Sequence, residues 1–142
     1  MTRPLLYSVC TGNSCRSPIA EGLARAWGEG RIEAVSGGLE AHGLNPRAVE
    51  TMQEIGIDIS HQASTAIDLG LLTSADYAIT LCGDADERCP WTPPSVKPIH
   101  WGFPDPAKAQ GTEEDMRNAV RAVRDGIGAP VRAFIEEIGP RS

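Results

Sequence analysis

The sequence lacks the features that would place the chain in a membrane or on a nucleic acid. Its apolar runs all fall short of the roughly 20 residues that a membrane-spanning helix requires. Basic residues are in deficit, because 13 Lys and Arg face 19 Asp and Glu, and the net charge is -6. This charge argues against nucleic acid and anionic membranes as partners. Internal repeats and low-complexity segments are also lacking, so the 142 residues predict one domain, residues 1–142.

A signal peptide has no room before the first apolar run, which begins at Pro4. We therefore expect a cytoplasmic protein, and a monomer. In that compartment four cysteines do not predict a static disulfide framework, but metal binding, catalysis or transient redox chemistry. Their spacings, C-x4-C and C-x6-C, are not both of the short C-x2-4-C kind that the two halves of a zinc site typically share, so no metal site is predicted.

Apolar segments of strand length alternate with segments of helical periodicity along the chain. The predicted strands are residues 4–10, 31–36, 77–82 and 96–101. The predicted helices are residues 18–27, 46–55, 67–72 and 112–138, the last weakened at Gly126, Gly128 and Pro130. This alternation predicts an α/β fold with a doubly wound, four-stranded parallel sheet flanked by helices. Ligands of such folds bind beyond the carboxyl ends of the strands, where Cys10, Cys82 and Asp105 are expected to meet.

The most informative stretch lies between the first predicted strand and the first predicted helix. It reads Cys-Thr-Gly-Asn-Ser-Cys-Arg-Ser from Cys10 to Ser17, with Ser17 predicted as the helix N-cap and Pro18 at the first helical position. A loop of small residues at a helix N-terminus turns several backbone N–H groups toward one point, where an anion binds. Arg16 adds a planar set of donors that suits a tetrahedral oxyanion. The same positive field stabilises a thiolate, so Cys10 is predicted to be a nucleophile that attacks a bound oxyanion.

The pattern Cys10-x5-Arg16-Ser17 between a strand and a helix resembles the signature loop of the protein tyrosine phosphatases. The wording Gly-Asn-x-Cys-Arg-Ser-Pro near the N-terminus is similar to the low-molecular-weight branch, and the resemblance covers essentially the whole chain. It implies a low-molecular-weight phosphatase fold, a catalytic Cys10 and Arg16, and Asp105 of an Asp-Pro pair as general acid. It also implies an oxyanion-binding loop formed by Thr11, Gly12, Asn13, Ser14, Cys15, Arg16 and Ser17. A cysteine at position 15 occurs in the phosphatases as well, so Cys15 is interpreted as structural.

This branch contains both tyrosine phosphatases and thioredoxin-coupled arsenate reductases. The phosphatases typically carry two aromatic residues directly after the Asp-Pro pair, whereas this chain has Ala107 and Lys108 there. Residues 81–90, which include Cys82 and Cys89, closely resemble the redox segment of the reductases. Both features favour arsenate as the substrate, with phosphate or sulfate as analogue anions.

A pair of thiols supplies the two electrons that reduction of an oxyanion requires, by forming a disulfide. The resemblance implies that Cys10 attacks arsenate, that Cys82 resolves the adduct and releases arsenite, and that Cys89 then forms a disulfide with Cys82. Thioredoxin would reduce that disulfide from outside, so no bound cofactor is predicted. The expected function is arsenic detoxification.

Two other functions stay open at this point. A phosphatase that acts on phosphate monoesters needs only Cys10, Arg16 and Asp105. A redox or anion sensor, which forms a disulfide as a signal and turns nothing over, needs only the cysteines.

Two further groups of polar residues are not predicted to take part in catalysis. Some of these reductases bind potassium beside the loop, through residues that match Asn13, Glu21 and Ser36 here. Thr65 stands where those enzymes have an aspartate, and loss of an anionic oxygen ligand weakens such a site, so potassium is doubtful. The histidines match no metal-ligand or catalytic-triad spacing and are interpreted as partly exposed structural residues: His42, His61 and His100.

Overall fold

The computed structural model describes residues 3–83 and 92–138, and at its centre lies a sheet of four parallel strands. These are β1 (Leu5–Cys10), β2 (Glu33–Gly38), β3 (Tyr77–Thr80) and β4 (Lys97–His100). Their order across the sheet is β2-β1-β3-β4, and every neighbouring pair is parallel. The predicted α/β fold with a four-stranded parallel sheet is therefore confirmed.

Helices flank this sheet. They are α1 (Arg16–Trp27), α2 (Pro46–Gln53), α3 (Leu69–Ser74) and α4 (Glu113–Ile138), with a short 3-10 turn at Pro106–Lys108. α1 packs against α4 and β2, α2 packs against α4, and α3 contacts β1. None of the helices in the described ranges, α4 included, has the length and apolar character of a membrane span.

Burial along the strands follows from their positions in the sheet. β1 lies in the interior, and its residues from Leu6 to Cys10 are all buried, as expected for a parallel strand covered on both faces. β4 is an edge strand and is mostly exposed. Pro98 lies within β4, and an edge strand tolerates proline because one side of it makes no ladder hydrogen bonds.

The start of α1 differs from the prediction. The helix begins at Arg16, and Cys15 occupies the cap position without a side-chain cap bond to any described residue. Ser17 is therefore not the N-cap. It lies in the first turn, fully buried, with its hydroxyl turned toward Cys10 and Asn13. The amides of the first turn are left uncapped, which keeps them available to an anion.

Other boundaries shift by about two residues from the prediction. β2 begins and ends later, β3 ends at Thr80, α2 ends at Gln53, and α3 begins and ends later. The last helix is not interrupted at the positions where weakening was predicted, because α4 is continuous through Pro130. Gly126 is explained by packing instead, since a Cβ at that position would lie 2.9 Å from the ring of Phe103.

Candidate active site

The carboxyl ends of three neighbouring strands bring the predicted reactive groups to one rim of the sheet. β1 ends at Cys10, Cys82 follows β3, and Asp105 follows β4. Thr11 Oγ1 lies 3.3 Å from Cys82 Sγ, and Asp105 Oδ2 lies 3.8 Å from Arg16 Nη2. Cys10, Arg16 and Asp105 thus line one cavity, and Cys82 lies beside Thr11 at the same rim without being among the cavity's lining residues.

A cavity of about 190 Å³ lies at this rim. It is lined by Cys10, Thr11, Gly12, Ser14, Cys15, Arg16, His42 and Asp105. Its volume is below the roughly 300–1,000 Å³ of pockets that hold drug-sized ligands, so it suits a small anion. A larger depression of about 420 Å³ between α1 and α4 contains none of the predicted site residues.

Residues 39–45, which we call the strap, hold the loop from one side. Four backbone amides of the strap donate to loop carbonyls at 2.9–3.1 Å. The pairs are Leu39 to Cys10, Glu40 to Thr11, His42 to Gly12 and Asn45 to Ser14. Because the C=O and N–H of a trans peptide point in opposite directions, the amides of the same peptide planes face away from the strap. The strap therefore orients the loop N–H groups toward the cavity, where an anion would bind.

Asn13 is the residue that fixes the shape of the loop. It adopts a left-handed backbone conformation, with φ of 47°, which asparagine tolerates better than most residues. Its Nδ2 donates to Ser17 Oγ at 2.8 Å and to Ser36 Oγ at 2.9 Å. Its Oδ1 accepts from the backbone N–H of Thr65 at 2.8 Å. Asn13 is fully buried, so these bonds satisfy its side chain and hold the loop to β2.

Ser17 connects this network to the nucleophile. Its Oγ lies 2.9 Å from Cys10 Sγ, and both residues are buried. Since Asn13 already donates to that oxygen, the hydroxyl hydrogen of Ser17 is free to point at the sulfur. A hydrogen bond donated to the sulfur stabilises the negative charge that the sulfur carries when it reacts.

The network continues from Ser36 to a buried carboxylate. Ser36 Oγ donates to Glu21 Oε1 at 2.6 Å, and Glu21 Oε2 lies 2.8 Å from Arg25 Nη2. Burial raises the pKa of Glu21, while the bond from Ser36 and the charge of Arg25 act in the opposite direction. Of the described residues, no group of three or more His, Cys, Asp or Glu is arranged to hold a metal ion.

Arg16 is positioned by the segment that follows β4. Its Nη1 donates to the carbonyl of Phe103 at 3.0 Å, and Phe103 in turn donates its N–H to Leu81 at 3.0 Å. The guanidinium is buried, whereas the Asp105 side chain beside it is 29% exposed. The arrangement places a fixed cation and a solvent-accessible carboxyl at the same cavity, as binding of an oxyanion and protonation of a leaving oxygen require.

Cys15 lies in the cavity wall but differs from Cys10 chemically. Burial raises the pKa of the Cys15 thiol to about 12, and the neighbouring charge of Cys10 acts in the same direction. A thiol that stays protonated at neutral pH is a poor nucleophile. This supports the interpretation of Cys15 as a structural residue.

The structure describes only one of the two cysteines, Cys82 and Cys89, that are predicted to pass the disulfide outward from Cys10. Cys82 is buried, two residues after the end of β3, and its Sγ is 3.3 Å from the hydroxyl of Thr11. Cys89 lies outside the described residues, and its place in the relay stays a prediction.

His42 is the site residue that the sequence interpretation missed. Its ring lines the cavity, and its backbone N–H donates to Gly12 at 2.9 Å. The sequence did contain an indication of this role. His42 follows the carboxyl end of β2, and ligands of parallel sheets bind beyond the carboxyl ends of strands, which is the argument that pointed to Cys10. The other histidines do not line this cavity: His61 is exposed, and Nδ1 of His100 lies 2.9 Å from Thr80 Oγ1.

The chain matches a known protein family and is similar in sequence to a known enzyme. Residues 6–141 match the family described as low molecular weight phosphotyrosine protein phosphatase. An arsenate reductase of Bacillus subtilis (strain 168) is 53% identical over 136 residues, which cover 96% of this chain and 98% of that protein.

Two solved structures are also similar. An arsenate reductase in the phosphate binding state is 30% identical with a TM-score of 0.72, over 96% of this chain and 99% of that chain. A thioredoxin-dependent arsenate reductase of Corynebacterium glutamicum is 24% identical with a TM-score of 0.76, over 96% of this chain and 62% of that chain. At 24% identity the second similarity concerns the fold alone.

Proposed function

The chain belongs to the low molecular weight phosphotyrosine protein phosphatase family, and we propose that it is an arsenate reductase. The observation that carries this proposal is a second thiol at the rim of the oxyanion loop, where Cys82 Sγ lies 3.3 Å from Thr11 Oγ1. Hydrolysis of a phosphate ester needs no such thiol, whereas a two-electron reduction does. Similarity over nearly the whole chain to the arsenate reductase of Bacillus subtilis supports the same substrate.

In the first step the thiolate of Cys10 attacks the arsenic atom of arsenate, which the loop amides and Arg16 hold. A sulfur–arsenic bond forms and an arsenic–oxygen bond breaks, and the hydroxyl group leaves as water after Asp105 supplies a proton. Phosphate and sulfate are tetrahedral anions of similar charge and bind in the same place as analogues. Loss of one preorganised oxyanion donor costs about 100- to 1,000-fold in rate in comparable sites.

In the second step the thiolate of Cys82 attacks the sulfur of Cys10. A disulfide forms between the two residues, the sulfur–arsenic bond breaks, and arsenic keeps the electron pair of that bond. Arsenic(V) thereby becomes arsenic(III) and leaves as arsenite. The buried position of Cys82 beside Thr11 supports a direct attack of this kind.

In the third step Cys89 attacks Cys82, and Cys10 leaves the disulfide as a thiolate. The dithiol of thioredoxin then reduces the Cys82–Cys89 disulfide and supplies the two electrons that arsenic received. The net reaction converts arsenate and a dithiol into arsenite, a disulfide and water. This cycle needs a reducing compartment, so the proposal places the protein in the cytoplasm. The proposal also includes a monomer of one domain that acts in arsenic detoxification.

Turnover with a complete electron supply tests the proposal. The protein is incubated with arsenate, thioredoxin, thioredoxin reductase and NADPH, and oxidation of NADPH is followed with time. Sustained oxidation that requires arsenate and thioredoxin is the expected result. Oxidation that stops after about one equivalent per protein would indicate a sensor, and no arsenate-dependent oxidation would refute the reductase.

One observation favours a second, slower activity on phosphate monoesters. Cys10, Arg16 and Asp105 share one cavity, and these three residues suffice for attack on phosphorus and protonation of a leaving oxygen. Release of p-nitrophenol from p-nitrophenyl phosphate, lost in Cys10→Ser, would show this activity. Release that persists in Cys10→Ser would come from another source.

A further inference from the structure

The imidazole of His42 lies at the oxyanion cavity although no step of the proposed reaction uses it. The residue belongs to the strap and lines the same cavity as Cys10, Arg16 and Asp105. About half of its side chain is exposed, so the ring stands between the interior of the cavity and the solvent. A side chain in that position influences what enters.

The backbone around His42 is firmly attached to the loop. Its N–H donates to the carbonyl of Gly12 at 2.9 Å. The next residue, Gly43, donates to Ser64 Oγ at 3.0 Å, and Ser64 Oγ lies 3.3 Å from the same Gly12 carbonyl. Because these bonds converge on one loop residue, His42 keeps its position relative to the loop.

The ring itself is held on two sides. Toward the loop it packs against Gly12, where an added Cβ would overlap Nδ1 and lie 2.7 Å from Cγ of the imidazole. Glycine at position 12 is thus required for this close approach. Toward the solvent, His42 Nε2 lies 3.3 Å from Glu40 Oε2. The imidazole therefore forms one wall of the cavity.

The size of the cavity indicates what such a wall does. The cavity of about 190 Å³ accommodates a tetrahedral anion, and a group attached to that anion has to leave through the mouth, where the half-exposed ring of His42 lies. The sequence has Ala107 and Lys108 after the Asp-Pro pair, so it offers no aromatic pair against which an aryl ester would stack. The group attached to an ester would have to extend past His42.

We propose that His42 is a specificity-determining residue: its imidazole, packed against Gly12, makes the cavity prefer free oxyanions to esters that carry a bulky group. The inference rests on the proposed function, since it concerns the same oxyanion cavity. It goes further in assigning the choice between free anion and ester to one side chain. Removal of the ring opens the mouth of the cavity to the ester.

Protection of Cys10 from alkylation tests this inference without any turnover. Iodoacetamide labels Cys10, the labelled peptide is quantified by mass spectrometry, and inorganic phosphate or phenylphosphonate is added as the protecting ligand. The measured quantity is the ratio of the two protection constants, which a general loss of stability does not change. We expect the unaltered protein to prefer phosphate, and His42→Ala to reduce that preference by about tenfold, a factor typical of steric selection in a pocket.

Two further variants separate the possible causes. His42→Phe keeps a ring of similar shape without its nitrogen atoms, and it should retain the preference for phosphate. His61→Ala removes an exposed histidine that lines a different depression, and it should behave as the unaltered protein. Thermal melts confirm that each variant is folded before labelling.

The outcomes distinguish this inference from the proposed function. An unchanged preference in His42→Ala, or equal loss in the Ala and Phe variants, would overturn the steric role of His42 while leaving the reductase intact. Absence of protection by either ligand in the unaltered protein would refute the oxyanion cavity, and both proposals would fail. Reduced preference in His42→Ala alone supports the inference, whatever the rate of arsenate reduction.

Discussion

Replacement of Ser17 by alanine should slow the reaction of Cys10 strongly while leaving the cavity in place. The variant removes the oxygen that lies 2.9 Å from Cys10 Sγ, and both residues are buried, so water cannot replace the lost bond. A hydrogen bond to a charged group contributes about 1.5–3 kcal/mol. At 1.4 kcal/mol per factor of ten, the rate at which the Cys10 sulfur reacts should fall by about 10- to 100-fold.

The assay is the rate of Cys10 alkylation by iodoacetamide at neutral pH, measured on the labelled peptide. Ser17→Ala also leaves the Nδ2 group of Asn13 with one partner fewer, and a buried unsatisfied donor costs about 1–3 kcal/mol of stability. The free energy of unfolding in urea is therefore measured in parallel. Thr51→Val serves as a matched control, because it removes another fully buried hydroxyl, on α2, without touching the loop.

The expected result is slow alkylation in Ser17→Ala and an unaltered rate in Thr51→Val. If Ser17→Ala reacted as fast as the unaltered protein, the hydroxyl would not assist the reaction of the Cys10 sulfur. Equal slowing in both variants would show that the effect comes from general destabilisation. Either result would refute the reasoning from the Cys10–Ser17 contact.

Acid should weaken the contact between α2 and α4, because hydrogen bonds, led by that of Arg121, lower the pKa of Glu54 from 4.5 to about 2 in the folded protein. The free energy that this group contributes to folding is present above its unfolded pKa and is lost as the pH falls from about 4.5 toward 2. In Glu54→Gln the melting temperature should therefore depend less on pH over that window. An identical pH dependence in the variant and the unaltered protein would contradict this. Asp105→Asn should lower kcat for arsenate reduction by about 100-fold or more, while phosphate still protects Cys10 from alkylation; an unchanged kcat would remove Asp105 as the acid. Cys15→Ala should leave the alkylation rate of Cys10 at neutral pH unchanged, because the Cys15 thiol has a pKa of about 12 and stays protonated; a large change would show a direct role.

Most of the features that were predictable from the sequence are local ones. The alternation of strand and helix patterns predicted the parallel sheet. The residues from Cys10 to Ser17 predicted an anion-binding loop. The position of Cys82 beside Thr11 was also accessible, because carboxyl ends of adjacent parallel strands share a rim. Extension of the single domain over residues 1–142, and the role of Cys89, stay predictions.

The features that escaped prediction depend on contacts that residue type and periodicity do not reveal. Ser17 has the residue type of a helix cap, but its hydroxyl is engaged by Cys10 and Asn13, which no local rule reveals. The strap reaches the loop because β1 and β2 pair in a register that sets Cys10 beside Gly38. His42 acquires its place at the cavity from the same register, which the amino-acid order alone does not specify.

The central claim is that Cys82 completes a reduction that Cys10 begins. It is tested most directly by a single turnover without external reductant, in which arsenite is quantified and disulfides are mapped after the protein is mixed with arsenate. The unaltered protein should release about one arsenite per molecule, as the two electrons of one thiol pair allow, and Cys82→Ser should release none while retaining Cys10 in an adduct. Release of equal amounts of arsenite by Cys82→Ser and the unaltered protein would contradict the account.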